Sequence, residues 1–186
     1  MASIFIFHGV YGHSGENWFP WLKTELEKKG HRVFVPDFPH PDHPTLDQWM
    51  QYMTRHDDDV DEQTIFVGHS LGAAFALRLI GHMHQSISTC FLVAPVWMKM
   101  GNEFDQLMLT FTSPSYDWKK TKEHCGCFSI FQSTNDPYIA LEKTNELAKH
   151  LSAPVTVVRD AGHFNSSAGY TKFPQLRDAI LAVATS

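Results

Sequence analysis

Short runs of apolar residues alternate with amphipathic stretches along the whole chain. The apolar runs are continuous and rich in β-branched residues, a pattern typical of parallel strands that are covered on both faces. The predicted strands are Ser3–Phe7, Arg32–Val35, Thr64–Gly68, Ile87–Val93, Phe128–Ser133 and Pro154–Val158. The predicted helices are Trp18–Lys29, Leu46–Arg55, Leu71–His84, Leu141–Leu151 and Phe173–Val183. This alternation predicts an α/β fold, a doubly wound parallel sheet of about six strands with helices on both faces.

Two segments interrupt the alternation. Residues 36–44 contain four prolines, so this segment is predicted to be an irregular loop. Residues 97–126 form a long connection rich in Trp, Met and Phe, and it leaves the carboxyl end of a predicted strand. Ligands of α/β proteins bind at that edge of the sheet, and long connections in compact domains often serve function. We therefore interpret residues 97–126 as a lid or pocket wall within one domain of residues 1–186.

Composition narrows the class of protein. The chain has 186 residues, 43% of them hydrophobic and 19% charged, as expected for one soluble globular domain. A net charge of −5 argues against nucleic acid or an anionic membrane as the main partner. Three cysteines make no disulfide framework, and no apolar run has the length of a signal segment or a membrane span. We expect a cytoplasmic protein.

The segment Gly68-His69-Ser70-Leu71-Gly72 has the form Gly-x-Ser-x-Gly and lies between a predicted strand and a predicted helix. In this context the motif is typical of a nucleophile elbow, a tight turn that exposes a serine hydroxyl above a sheet. The motif alone also arises by chance. It predicts a hydrolase if the chain also supplies a base, an acid and an oxyanion hole.

A base and an acid follow in the required order. A serine hydroxyl needs an imidazole to take its proton and a carboxylate to orient that imidazole. Asp136 follows the predicted strand that ends at Ser133, and His163 follows the one that ends at Val158. In α/β hydrolases the triad has the chain order Ser, then Asp or Glu, then His. We therefore predict Ser70, Asp136 and His163 as catalytic residues at one edge of the sheet.

The oxyanion hole requires two backbone N–H groups that point at the developing negative oxygen. The amide of Leu71, at the N-terminus of the helix that follows the serine, is the first expected donor. The second should come from the loop after the first strand, residues 8–12, where we favour the amide of Val10.

Other residue types allow competing interpretations. Asp160 is a rival acid, but it lies three residues before His163 and more naturally stabilises its own loop. Asp37 also follows a predicted strand and is interpreted as a loop residue. The remaining histidines form no His-Glu-x-x-His or Cys-His pattern, so no metal site is predicted. Apolar side chains near the active edge either pack in the core or line an acyl pocket. The pocket candidates are Tyr11, His69, Trp97, Met98 and Phe164.

The segments Gly68–Gly72, Ser133–Pro137 and Ala161–Phe164 resemble the small serine hydrolases of the retinoblastoma-binding protein 9 / YdeN family. Further matches to the family are Asn17–Leu22, Val35–Asp37 and Tyr116–Trp118, so the resemblance spans nearly the whole chain. It implies a compact α/β-hydrolase with a minimal cap, the triad Ser70, Asp136 and His163, and no cofactor. The loop of residues 8–12 is less glycine-rich than in many relatives. A retinoblastoma-protein partner is not carried over, because the chain contains no Leu-x-Cys-x-Glu motif.

The expected function is hydrolysis of a small carboxylic ester, or an amide, through an acyl-enzyme on Ser70. The expected partner is a small-molecule ester, and the chain is expected to be a monomer. Two alternatives remain open at this stage. One is a non-catalytic protein-binding module on the same scaffold. The other is an acyltransferase that uses the same triad, since a fold does not fix a reaction.

Overall fold

The structure, a computed structural model, describes residues 1–184 and has one six-stranded parallel sheet as its centre. The strands are β1 (Ser3–Phe7), β2 (Arg32–Phe34), β3 (Ile65–His69), β4 (Ile87–Val93), β5 (Cys125–Ser133) and β6 (Val155–Val158). Their order across the sheet is β2-β1-β3-β4-β5-β6. This arrangement confirms the predicted doubly wound sheet. The central strands β1 and β3 are buried along their whole length, whereas the edge strand β6 is partly exposed.

Seven α-helices connect or follow the strands in residues 1–184. They are α1 (Phe19–Glu27), α2 (Leu46–Met53), α3 (Leu71–His82), α4 (Leu109–Thr112), α5 (Trp118–Glu123), α6 (Leu141–Leu151) and α7 (Pro174–Ala184). Helix α1 packs against α7, while α3 packs against α2, α4 and α5, so the helices form two groups on the two faces of the sheet. None of the helices in the described part of the chain is long and apolar enough to cross a membrane.

Three predicted helices end earlier than expected, the first of them at Glu27 rather than Lys29. The helix predicted over Leu46–Arg55 is α-helical only to Met53, and a 3₁₀ turn over Thr54–Asp59 follows it. The run of three aspartates in this turn disfavours a continued α-helix, because aspartate is a weak helix former in a helix interior. Helix α3 ends at His82 rather than His84, since Met83 already has an extended backbone.

The register of the sheet brings the functional loops together. Phe7 pairs with Gly68, and Gly68 in turn pairs with Leu92. Ser133, the last residue of β5, pairs with Val158, the last residue of β6. Because all strands are parallel, the loops after β1, β3, β5 and β6 leave the sheet at the same edge. This edge carries every residue of the predicted triad.

Candidate active site

Ser70 lies between the last residue of β3 and the first residue of α3. Its backbone has φ 56° and ψ −121°, a conformation that a non-glycine residue adopts only when its surroundings impose it. Its N–H donates to the carbonyl of Val93 at 3.0 Å, and its own carbonyl accepts from the N–H of Val96 at 3.1 Å. The backbone after β4 therefore holds the serine in the turn that the Gly-x-Ser-x-Gly motif predicts.

The glycine after Leu71 makes this turn possible. A Cβ atom on Gly72 would lie 2.2 Å from the carbonyl oxygen of Phe7, which is backbone and cannot move away. Helix α3 can therefore begin directly over β1 only if this position has no side chain. The close approach places Ser70 beside the loop after β1, where a Cβ on Gly9 would be 3.0 Å from the Cβ of Ser70.

Asp136 and His163 form a direct pair. The Nδ1 atom of His163 donates to Oδ2 of Asp136 at 2.9 Å, and the carboxylate side chain is fully buried. The other oxygen, Oδ1, accepts from the backbone N–H groups of Tyr138 and Ile139 at 2.9 and 3.1 Å. These donors fix the orientation of the carboxylate. With Nδ1 protonated, Nε2 of a neutral His163 is free to accept a proton.

Hydrogen bonds between the two loops hold this pair. Oγ of Ser133 donates to Oδ1 of Asn135 at 2.8 Å and accepts from the N–H of Ala161 at 3.0 Å. The same Asn135 oxygen accepts from the N–H of Gly162 at 2.8 Å. Sequence reasoning missed Ser133 and Asn135, because their partners lie 28 and 27 positions away in the chain. Gly162 has φ 54°, and the left-handed turn there directs the chain back toward Asp136.

The rival acids lie elsewhere. Asp160 is exposed, and its backbone N–H donates to Oγ1 of Thr134 at 3.0 Å. The carboxylate of Asp37 accepts from the N–H and the hydroxyl of Ser14, at 2.5 and 2.9 Å. The Asp37 carboxylate therefore binds a neighbouring loop, and Asp160 lies exposed in its own loop. Asp136 is the acid that contacts the imidazole of His163.

The loop after β1 uses two of its backbone amides in hydrogen bonds to other carbonyls. The N–H of Tyr11 donates to the carbonyl of Pro41 at 2.6 Å, and that of Gly12 donates to Gly9 at 3.2 Å. Val10 directly precedes Tyr11 and lines the same cavities as Ser70. The amide of Val10 stays the predicted partner of the Leu71 amide.

A buried histidine ties this loop to the proline-rich segment 36–44. Nδ1 of His8 donates to the carbonyl of Gly9 at 2.8 Å, and Nε2 accepts from the N–H of Phe38 at 3.1 Å. Burial lowers the pKa of His8, so the ring is neutral and can accept at Nε2. The backbone on either side of Val10 is therefore held by bonds to a second loop.

Ser70 and His163 line two cavities that meet at the serine. The first, here called the apolar cavity, has a volume of about 220 Å³. Its wall contains mainly apolar side chains and, apart from the histidine, no titratable group other than two tyrosine hydroxyls. The lining residues are Val10, Tyr11, Ser70, Val96, Met100, Asn102, Phe104, Met108, Tyr138, Ile139, His163 and Asn165. The second, the polar cavity, has about 330 Å³ and is lined by Gly9, Val10, Glu16, Asn17, His69, Ser70, His163, Asn165, Ser166 and Ser167.

The structure corrects the expected pocket at three positions. Trp97 faces α5 and α6: its ring contacts those of Trp118 and His150, and its Nε1–H donates to the carbonyl of Lys143. Phe164 is fully buried and stacks on Phe173. Met98 packs against the core and lines neither cavity. Tyr11 lines the apolar cavity and His69 the polar one.

Residues 97–126 supply the outer wall of the apolar cavity through Met100, Phe104 and Met108. A buried arginine of α3 fixes this segment. The Arg78 guanidinium donates to three carbonyl groups and lies 3.4 Å from the centre of an aromatic ring. The carbonyls belong to Phe111, Pro114 and Ser115, and the ring is that of Tyr116. Within residues 1–184, no cluster of three or more His, Cys, Asp or Glu side chains could hold a metal ion.

Comparison with known proteins gives the family. Residues 4–182 match the family model described as serine hydrolase. The YdeN protein of Bacillus subtilis is 27% identical over 179 residues, which cover 95% of this chain and 93% of YdeN. Serine hydrolase RBBP9 of Rattus norvegicus is 29% identical over 169 residues, covering 90% and 87%. The crystal structure of the B. subtilis ydeN product superposes with a TM-score of 0.94 at 26% identity over the full length of both chains. The chain therefore belongs to the serine hydrolase family and is a hydrolase of the α/β type.

Proposed function

We propose that this protein hydrolyses small carboxylic esters through an acyl-enzyme on Ser70. The observation that carries the proposal is His163, which is bonded to the buried Asp136 carboxylate and lines both cavities together with Ser70, a serine in a strained turn. Membership of the serine hydrolase family supports the hydrolytic reaction. The substrate class follows from the chemistry of the cavities.

The proposed reaction has two half-reactions. His163 Nε2 takes the hydroxyl proton while Ser70 Oγ bonds to the ester carbonyl carbon, and Asp136 stabilises the imidazolium that forms. The amides of Leu71 and Val10 donate to the oxyanion. The C–O bond to the leaving alcohol then breaks, and His163 returns the proton to that oxygen. Water repeats these steps on the acyl-enzyme and releases the acid and the free serine.

The apolar cavity supports an uncharged, apolar acyl group. A closed apolar cavity of about 150 Å³ holds one benzene molecule, so about 220 Å³ offers room for a medium-length alkyl chain or a small aryl group. Met100 and Met108 are flexible side chains that can adapt to different shapes. The polar cavity, with the Glu16 carboxyl and several hydroxyl and amide groups, suits a polar alcohol as the leaving group.

Labelling with a fluorophosphonate tests the nucleophile, since this probe reacts only with an activated serine. We expect stoichiometric labelling of the unmodified protein and none of Ser70→Ala or His163→Ala. Ser113→Ala and His84→Ala, which change exposed residues outside both cavities, are the matched controls and should label fully. A folded protein that is not labelled would overturn the proposal in favour of a binding role.

A panel of nitrophenyl esters tests the substrate class. We expect kcat/KM to be highest for neutral acyl chains of medium length and low for acids that carry a charge. Product analysis with added alcohols separates the reactions: free acid as the main product supports hydrolysis, whereas transfer to the alcohol at low concentration supports an acyltransferase. Anilides of the same acids test cleavage of amides.

A further inference from the structure

Two ring nitrogens from outside the His163 loop (residues 159–165) hold the backbone of that loop. Nε2 of His69 lies 2.8 Å from the carbonyl oxygen of His163, and Nε1–H of Trp18 donates to the carbonyl of Phe164 at 3.0 Å. A carbonyl oxygen can only accept, so the His69 ring must carry its proton on Nε2. Two successive carbonyls of the loop are thus fixed by buried donors.

The surroundings of His69 keep this donor in one place and one state. The residue is 3% exposed, and its ring packs at a steep angle to the rings of Trp18 and Phe19, with centroids 6.0 and 5.9 Å away. Burial, together with the neighbouring His163, lowers the pKa of His69 to about 3. The ring is therefore neutral at physiological pH, and it adds no positive charge beside the base.

The other ring nitrogen, Nδ1, gives no reason for a histidine at this position. Nδ1 of His69 is buried and has no hydrogen-bond partner within residues 1–184. Buried polar atoms almost always have a partner, so an orphaned acceptor requires a reason. The single property that sets this histidine apart from a leucine or a phenylalanine here is the Nε2–H donor to the His163 carbonyl.

The loop needs such anchors because its backbone is strained. Gly162 has φ 54° and Phe164 has φ 50°, so His163 is flanked on both sides by left-handed residues. A left-handed non-glycine residue persists only where the surrounding structure determines it. A small rotation of this backbone would move the imidazole relative to Ser70.

We propose that His69 is a positioning residue, whose Nε2–H group fixes the backbone of His163 so that the imidazole faces Ser70. The inference rests on the proposed function, because His69 acts only through the base. It assigns a role to the variable residue of the Gly-x-Ser-x-Gly motif. Trp18 provides the equivalent bond one residue further along the loop.

The test compares three histidine variants. His69→Leu removes the donor at similar volume, and His69→Gln replaces it with an amide N–H that reaches the same carbonyl. We expect His69→Leu to lower kcat and the rate of fluorophosphonate labelling roughly 10- to 100-fold, since a displacement of about 1 Å has that effect. KM should stay within about twofold, and His69→Gln should recover most of the lost rate. His31→Leu removes a buried histidine before β2 and should leave the rate unchanged.

A second variant and a second readout keep the proposal testable if His69→Leu does not fold. Trp18→Phe removes the bond to Phe164 and should also lower kcat more than it raises KM. Nitrogen NMR of histidine-labelled protein should show His69 protonated on Nε2 alone. A leucine variant as active as the unmodified protein, a glutamine variant as impaired as leucine, or a proton on Nδ1 would each overturn the positioning role. An unlabelled unmodified protein would instead overturn the proposed function itself.

Discussion

His163 donates from Nδ1 to the carboxylate of Asp136 at 2.9 Å, although 27 positions separate the two residues. Two strands of the sheet, β5 and β6, end side by side and bring their loops into contact. The same carboxylate accepts from two backbone amides of its own loop. One buried group thus orders both loops, and its replacement should affect the imidazole directly.

Asp136→Asn should lower kcat by about three to four orders of magnitude, because the amide donates where the carboxylate accepts and so stabilises the wrong tautomer of His163. Steady-state kinetics on a nitrophenyl ester measures the loss. Asp160→Asn is the control, since this exposed residue tolerates the left-handed backbone as asparagine and should keep full activity. Equal losses in both variants would reverse the assignment of the acid.

Two glycines of α3 should respond to alanine in opposite directions. Gly72→Ala would place a methyl group 2.2 Å from a backbone carbonyl and should reduce the free energy of unfolding by roughly 3 kcal/mol or more. A Cβ on Gly81 meets nothing closer than Oγ1 of Thr121 at 3.5 Å. Gly81→Ala should therefore raise the free energy of unfolding by about 0.5 to 1 kcal/mol, through its higher helix propensity. Urea denaturation of both variants checks the signs.

Arg78→Met should destabilise the protein by about 2 to 4 kcal/mol, because three carbonyl groups of the 97–126 segment lose their donor. The wall of the apolar cavity should also loosen, and KM for apolar esters should rise. Arg55→Met is the control: this exposed guanidinium lies over a tyrosine ring and should contribute less than about 1 kcal/mol. Thermal unfolding and ester kinetics on the same samples measure both effects.

Acid should destabilise the fold through His69. The unfolded chain takes up a proton at this ring below about pH 6.5, whereas the folded protein, in which burial lowers the pKa to about 3, does not. The free energy of unfolding should therefore fall between pH 6.5 and 3, by up to about 1.4 kcal/mol per pH unit for one proton. His8, whose pKa burial also lowers, acts in the same direction. His69→Gln should flatten the slope, and an unchanged slope in urea titrations at several pH values would refute the assignment.

Phe104→Ala should shift the preference of the enzyme toward longer acyl chains. The ring lines the apolar cavity and contacts Tyr138 edge to face, so its removal enlarges the cavity outward. The ratio of kcat/KM for an octanoyl ester to that for an acetyl ester should rise roughly 3- to 10-fold, since each further buried methylene contributes about 0.8 kcal/mol. Both rates are measured on the same variant, so a smaller amount of folded protein lowers them equally and leaves the ratio unchanged. A ratio that does not change would place the acyl group in the other cavity.

The sequence predicted the sheet well because the strands are short, continuous apolar runs, the pattern typical of parallel strands covered on both faces. β1 and β4 have the predicted bounds, and the alternation of strands with helices predicted the parallel sheet. The short helices α4 and α5 were not predicted, since four to six residues give no clear period. The pocket walls were predicted least well. Trp97 and Met108 are both apolar residues of the 97–126 segment, and the sequence does not show which of them lines the cavity. Packing decides it: Trp97 bonds to α6, and Met108 lines the apolar cavity.

The strained backbone of the active edge has a consequence for the evolution of stability. Eight non-glycine residues within 1–184 have positive φ, and all except Ser152 lie in loops at the carboxyl edge of the sheet. These seven loop residues are Tyr11, Asn17, His40, Ser70, Ala94, Asp160 and Phe164. Selection for thermal stability alone would first favour substitutions that remove the strain in these turns. Such substitutions would raise stability and abolish the activity that depends on the strained conformations. Variants that are both thermostable and active should carry their substitutions at the opposite edge of the sheet, where the strands begin.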